Sequence, residues 1–269
     1  MWAKEPEDLR PGDGKEIVRF AERTDLALVY IHGFSATKWE IEPVHRRVAQ
    51  ALGANLFLTR LAGHGLPGDA LARATPADWL ADLDDALAIG RRLGRRTVLI
   101  GASTGGTLAA MAAARGENLA GVVLISPNFG LNRRKGWVLD LPGITRWGAR
   151  VFGPTRRIDA FGGPDHAAHW TLNYPTAALW PLRDLMRMPL DVGQATCPAL
   201  FVWSDRDRVL DPAAIRRAAG AWGGPVTCHP MMLMDHDDPM HHIVAGDILS
   251  PLQTAGAVSA ITGWIRTLA

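Results

Sequence analysis

The run Leu-Ile-Gly-Ala-Ser-Thr-Gly-Gly at positions 99–106 holds a nucleophile candidate, the hydroxyl of Ser103. An alcohol attacks a carbonyl when a base takes its proton and when donors meet the negative charge that develops on the carbonyl oxygen. The rest of the chain must therefore supply a histidine, an acid to orient it, and N–H groups aimed at the reacting centre. Gly101 and Gly105 stand two positions either side of the serine. Residues without a Cβ at those places let a strand turn sharply into a helix, which strains the serine and exposes its oxygen. An apolar strand pattern (97–102) precedes the serine and an alanine-rich helical pattern (104–116) follows it. The plain alternative is an ordinary glycine-rich turn. Glycine accounts for 28 of 269 residues, so the match needs support from elsewhere in the chain.

A second loop gives that support. In Val-Tyr-Ile-His-Gly-Phe-Ser-Ala-Thr (29–37) a strand ends in His-Gly, which sets a flexible loop beside the nucleophile turn. The backbone amides of Phe34 and Thr104 are the expected oxyanion hole. His32 reads as a buried histidine bonded to backbone that shapes this loop. The late stretch 201–212 offers Asp205, Asp207 and Asp211 as acids, and the stretch 234–247 offers His236, His241 and His242 as bases. Each histidine follows the aspartates by about one strand and one helix, so distance does not choose among them. Asp and His crowd residues 234–242 as a metal site would, but this is one short loop without the helical His-Glu-x-x-His spacing. Neither a metal nor a cofactor is expected.

These residues need a scaffold that brings distant segments together. Short apolar runs at 26–31, 54–60, 97–102, 121–126, 199–204 and 226–232 alternate with helical patterns at 42–53, 75–94 and 104–116. Continuous apolar strands separated by helices imply a parallel sheet covered on both faces. Thr75, Pro76 and Asp78 open the helix at 75 as N-cap, first-turn proline and capping partner. The alternation breaks at 131–189, where Trp, Pro, Gly and Arg dominate. This reads as a cap inserted between two parts of a core, 1–130 and 190–269, above the carboxyl edge where open α/β sheets bind ligands.

The ordered set His-Gly-Phe-Ser-Ala-Thr, Arg-Leu-Ala-Gly-His-Gly (60–65), Gly-Ala-Ser-Thr-Gly-Gly, 197–212 and 241–251 resembles the α/β-hydrolase superfamily. More narrowly, it is similar to bacterial carboxylesterases and monoacylglycerol-lipase-like (serine aminopeptidase-type) hydrolases. The resemblance spans nearly the whole chain, the cap excepted. It implies an α/β-hydrolase fold, with a mostly parallel twisted sheet, helices on both faces and a small cap. Aligning Asp207-Arg208-Val209 with the family's Gly-x-x-Asp-x-Val makes Asp207 the acid, although Ser204 replaces the glycine. The alternative acid position, after the preceding strand, holds Asn128, which carries no charge. His242-Ile243-Val244 occupies the place where relatives end the catalytic loop, which makes His242 the base. His64, in a family loop signature, is structural. The implied activity is cleavage of carboxylic esters, with a lysophospholipase or monoacylglycerol lipase as the alternative; thioester or amide cleavage, or a silent binding module on the same fold, come behind.

The apolar cap residues, with Trp137 and Trp147 foremost, are expected to line the acyl pocket and to favour short or medium acyl esters over charged substrates. Seven basic residues lie between 129 and 160 (Arg133, Arg134, Lys135, Arg146, Arg150, Arg156 and Arg157). They read first as a solvated face and second as a weak attraction to anionic lipid. A net charge of +2 excludes a dedicated nucleic-acid binder. The only cysteines, Cys197 and Cys228, rule out a disulfide framework and read as small hydrophobes at or beside core strands. No apolar run reaches the length of a membrane span, and the polar opening stretch points to a cytoplasmic protein.

Overall fold

The computed structural model describes residues 5–132 and 137–268. Among them the strands are β1 (Glu16–Val18), β2 (Thr24–Ile31), β3 (Asn55–Leu58), β4 (Gly94–Ala102), β5 (Gly121–Ile125), β6 (Thr155–Arg157), β7 (Asn173–Pro175), β8 (Ala199–Trp203) and β9 (Val226–Pro230). The helices are α1 (Val44–Leu52), α2 (Asp69–Arg73), α3 (Pro76–Leu93), α4 (Thr104–Ala114), α5 (Ile144–Phe152), α6 (Gly163–His169), α7 (Leu179–Met186), α8 (Pro212–Ala221) and α9 (Thr254–Arg266). Seven strands form one sheet in the order β1-β3-β2-β4-β5-β8-β9, parallel except for β1.

Alternation along β2 shows why the sheet is covered twice. Ala27, Val29 and Ile31 join one core with Trp79, Leu83 and Leu87 of α3 and Leu108 of α4. Leu28 and Tyr30 join the opposite core with Val44 and Val48 of α1 and Ile261 and Ile265 of α9. Successive side chains of a strand point to opposite faces, so a strand apolar at every position needs a layer on each side. Each fully buried aliphatic or aromatic side chain contributes about 1.5–3 kcal/mol by leaving water. The expected cap on α3 is present: Thr75 Oγ1 accepts the Asp78 amide at 3.2 Å, and Asp78 Oδ2 accepts the Thr75 amide at 2.9 Å.

Three features depart from expectation. β1, three residues long and antiparallel to β3, was too short to carry a pattern. β9 pairs only with β8 at the sheet's end, and none of its residues is buried. Cys228 is therefore exposed rather than a core residue; Cys197 is half-buried, with burial pushing its thiol up to about 11. Within 131–189, β6 and β7 pair as a separate antiparallel ribbon, with Arg156 opposite Tyr174. This region is tied to the loop after β2: Thr171 donates its amide to Ser35 O at 2.7 Å, and Thr37 Oγ1 donates to His169 O at 3.0 Å.

Candidate active site

Ser103 sits between β4 and α4 with φ +50° and ψ −113°, a strained conformation for a residue with a side chain. Close approach explains its two glycines. A Cβ on Gly101 would stand 2.3 Å from Gly105 O, and one on Gly105 would stand 2.0 Å from Ile31 O. The strain is held by hydrogen bonds: the Ser103 amide donates to Ile125 O at 2.9 Å, and the amides of Thr107 and Asn128 donate to Ser103 O.

From the serine a hydrogen-bonded chain runs inward. Ser103 Oγ lies 3.1 Å from His242 Nε2, and His242 Nδ1 lies 2.8 Å from Asp207 Oδ2. An ionised carboxylate only accepts, so Nδ1 carries the proton and Nε2 is left to accept from the serine. Asp207 is fixed in turn, because its Oδ1 accepts the amides of Val209 (2.7 Å) and Leu210 (2.8 Å). The loop after β8 and the histidine loop are joined where the Arg208 amide donates to Met240 O at 2.9 Å.

Two carboxylates that sequence reasoning missed complete the surroundings. Asp238 Oδ2 accepts the amides of His242 and Ile243, both at 2.8 Å, and its Oδ1 accepts the Met240 amide at 3.0 Å. Ser126 Oγ donates to His242 O at 2.7 Å, so the histidine's backbone is held at both ends. Glu40, 2% exposed, accepts the Tyr30 hydroxyl (2.9 Å) and the Gly33 amide (2.7 Å) through Oε2. Burial raises the Glu40 pKa above the usual carboxylate value. Burial pushes the His242 pKa down, but Asp207, Asp238 and Glu40 together outweigh it and leave the value raised. Asp238 was visible only as part of an Asp-rich loop, and Glu40 had no motif to mark it.

The Thr104 amide opens α4, where the first N–H groups of a helix lack intrahelical acceptors and carry partial positive charge. The Phe34 amide lies in the turn held by Glu40. Neither amide donates to another group among the described residues, so both remain available to an oxyanion. His32 is buried, accepting the Leu61 amide on Nε2 (3.1 Å) and donating from Nδ1 to Gly33 O (2.9 Å); burial depresses its pKa to about 4. His64 is likewise buried and bonded through Nδ1 to Ala62 O.

The remaining candidates lie apart. Asp205 is exposed and pairs with Arg216 and the Trp203 indole. Asp211 caps α8 through the Ala213 amide, with its side chain only 15% exposed. His236 is exposed, and His241 is half-buried at φ +54°. Asp237 accepts the Met234 and Leu252 amides and the Gln253 side chain, so its carboxylate ties the Asp-rich loop to the segment that opens α9. Among the described residues no group of three His, Cys, Asp or Glu is placed to hold a metal ion.

Above Ser103 opens a cavity of about 610 Å³, lined by the carboxyl ends of the sheet and by residues 137–182. Its walls are mainly apolar, with Leu139, Ile144, Trp180, Leu182 and Leu249 among them. Trp137 lines it. Trp147 does not: its indole donates to Pro142 O at 3.0 Å and its ring lies beside Phe152, while Trp180 of α7 lines the cavity. Of the basic residues, Arg146, Arg150, Arg156 and Arg157 are exposed, and Arg133, Arg134 and Lys135 lie outside the described residues. No helix among the described residues is long and apolar enough to cross a membrane.

Comparison with known proteins agrees with this fold. The chain is similar to a thermostable monoacylglycerol lipase from Bacillus sp. (strain H-257), 28% identical over 198 residues, covering 72% of this chain and 75% of the relative. Its fold is similar to that of a metagenome-derived lipolytic enzyme (TM-score 0.78, 18% identity, 96% and 99% of the two chains). It is also similar to that of a monoacylglycerol lipase from Paleococcus ferrophilus (TM-score 0.65, 12% identity, 95% and 98%). The profile of the alpha/beta hydrolase family matches residues 28–243, and the chain belongs to that family.

Proposed function

We propose that the protein is a serine hydrolase that cleaves carboxylic esters of short to medium acyl length through an acyl-enzyme. The observation that carries this reading is the continuous chain Ser103–His242–Asp207, 3.1 and 2.8 Å per link, beneath an apolar cavity. In the first half-reaction Ser103 Oγ bonds to the ester carbon while its proton passes to His242 Nε2. The carbonyl electrons move onto oxygen, where the Phe34 and Thr104 amides meet the charge; removing such a donor commonly costs about 10²–10³ in rate. The carbonyl re-forms, the alkoxide leaves, and it takes the proton from His242. Water then repeats the sequence on the acyl-serine and releases the acid. Asp207 keeps the imidazole in the tautomer both halves require and stabilises the imidazolium.

A monoacylglycerol lipase or lysophospholipase is the narrower alternative, favoured by the similarity to the Bacillus lipase. A panel of p-nitrophenyl esters of rising chain length, assayed beside 1-acylglycerols with Ser103→Ala as control, tests both readings. The expected outcome is turnover of short and medium esters that disappears in the variant. Absence of turnover across the panel would contradict the reading.

A further inference from the structure

The wall of the catalytic cavity turns polar where three segments meet beside His242. Ala36, Trp170 and Leu249 form one small core, with Ile243 packed against it. That core sets the loop after β2, the end of α6 and the residue after His242 side by side. His166 of α6 stands edge-on to Trp170, with ring centroids 4.7 Å apart, and Ser35 is tied to the cap by the Thr171 amide. Ser35 and His166 both line the cavity here, as do Trp170 and Ile243. The larger apolar side chains group elsewhere: Ile144 and Trp180 meet over Gly148, whose added Cβ would stand 3.1 and 3.0 Å from them.

Ser35 and His166 are each 4% exposed, yet their polar atoms are not used up. His166 Nδ1 accepts the Gly162 amide at 3.5 Å, which puts the proton of the neutral ring on Nε2. Burial lowers the His166 pKa against the opposing pull of Asp238, so the ring is neutral at neutral pH. Neither that N–H nor the Ser35 hydroxyl has a hydrogen-bond partner among the described residues. Ser35 is also held at φ +63°, a left-handed backbone that costs energy for a residue with a side chain. Buried polar groups are paired as a rule, so two left open in one cavity wall mark a place for a polar group of the substrate. An N–H can only donate, and a serine hydroxyl can do either. A substrate hydroxyl, which accepts and donates at once, satisfies both.

We infer that Ser35 and His166 select esters whose alcohol half carries a further hydroxyl group. The inference rests on the ester-hydrolase reading and narrows its substrate. In that reaction the departing alkoxide takes its proton from His242, so the alcohol half lies on the His242 side of Ser103, where these two groups stand. His166 Nε2 donates to the hydroxyl, and the hydroxyl donates to Ser35 Oγ. A plain alkyl alcohol would cover both groups and give them no partner.

The test compares kcat/KM for 1-decanoylglycerol and propyl decanoate, which share an acyl chain and a three-carbon alcohol, each divided by that ester's rate of alkaline hydrolysis. Wild-type protein favours the glycerol ester by about tenfold, the scale of a buried donor left unpaired. His166→Leu and Ser35→Ala each cut turnover of the glycerol ester towards that of the propyl ester and leave the propyl ester unchanged. His166→Gln, which keeps an N–H donor, restores part of the preference. Arg115→Gln, exposed and paired with Asp84, changes neither rate. Should His166→Leu not fold, Ser35→Ala carries the test, because the Ser35 hydroxyl bonds to nothing among the described residues. A corrected wild-type ratio at or below one overturns the proposal. So does a folded variant that lowers both esters alike, the mark of a structural role, or one that moves neither. Absence of turnover on both esters overturns the hydrolase reading and this proposal with it.

Discussion

The imidazole of His242 works among three carboxylates that act by different routes. Asp207 bonds to the ring, Asp238 holds its backbone, and Glu40 acts through the field across the site. In the proposed mechanism the neutral imidazole is the base, so activity should rise as pH climbs through the His242 pKa, which the carboxylates raise. Glu40→Gln keeps an acceptor for Tyr30 and Gly33 but removes the charge. The acid limb of the kcat/KM profile should then move to lower pH, while Glu40→Ala should also lower kcat by freeing the Phe34 loop. An acid limb unmoved in Glu40→Gln would contradict the assignment. Ser103, Asp207 and His242 were legible because each sits in a local motif that the family shares. Glu40 and Asp238 were not, because their partners are backbone amides that only the folded loops bring to them. Trp147 misled for a related reason: an aromatic in the right segment says nothing of which wall it faces.

Elements position these residues through close backbone contact, and glycine substitutions measure it. A Cβ at Gly105 collides with backbone of β2, whereas one at Gly220, within α8, meets nothing within 4 Å. Gly105→Ala should cost about 1–3 kcal/mol or more, as overpacking does. Gly220→Ala should stabilise by about 0.5–1 kcal/mol, because alanine is the better helix former. Thermal melts of the two variants check this, and equal Tm values would contradict it. The parallel strands and α3 were legible from apolar runs and one capping box. β6 and β7 were not, since Thr-Arg-Arg and Asn-Tyr-Pro show no alternation and their pairing depends on the chain returning to itself.

At the scale of the molecule, buried neutral histidines link stability to pH. Burial holds His32 at about 4 and His45 at about 3, and it depresses His64 strongly, against about 6.5 in the unfolded chain. Folded pKa values below unfolded ones mean that the unfolded state binds protons first. The stability these groups contribute is therefore present above about pH 6.5 and lost as pH falls towards the folded values. Tm should drop between pH 6.5 and about 4.5, where ordinary carboxylates remain largely charged; a flat Tm across that window would contradict the account. The central claim concerns the serine at the meeting point of these layers, and a fluorophosphonate probe tests it most directly. Peptide mapping should find one covalent adduct, on Ser103, absent in Ser103→Ala and formed far more slowly in His242→Ala but not in His236→Ala. No adduct, or an adduct on another residue, would contradict it.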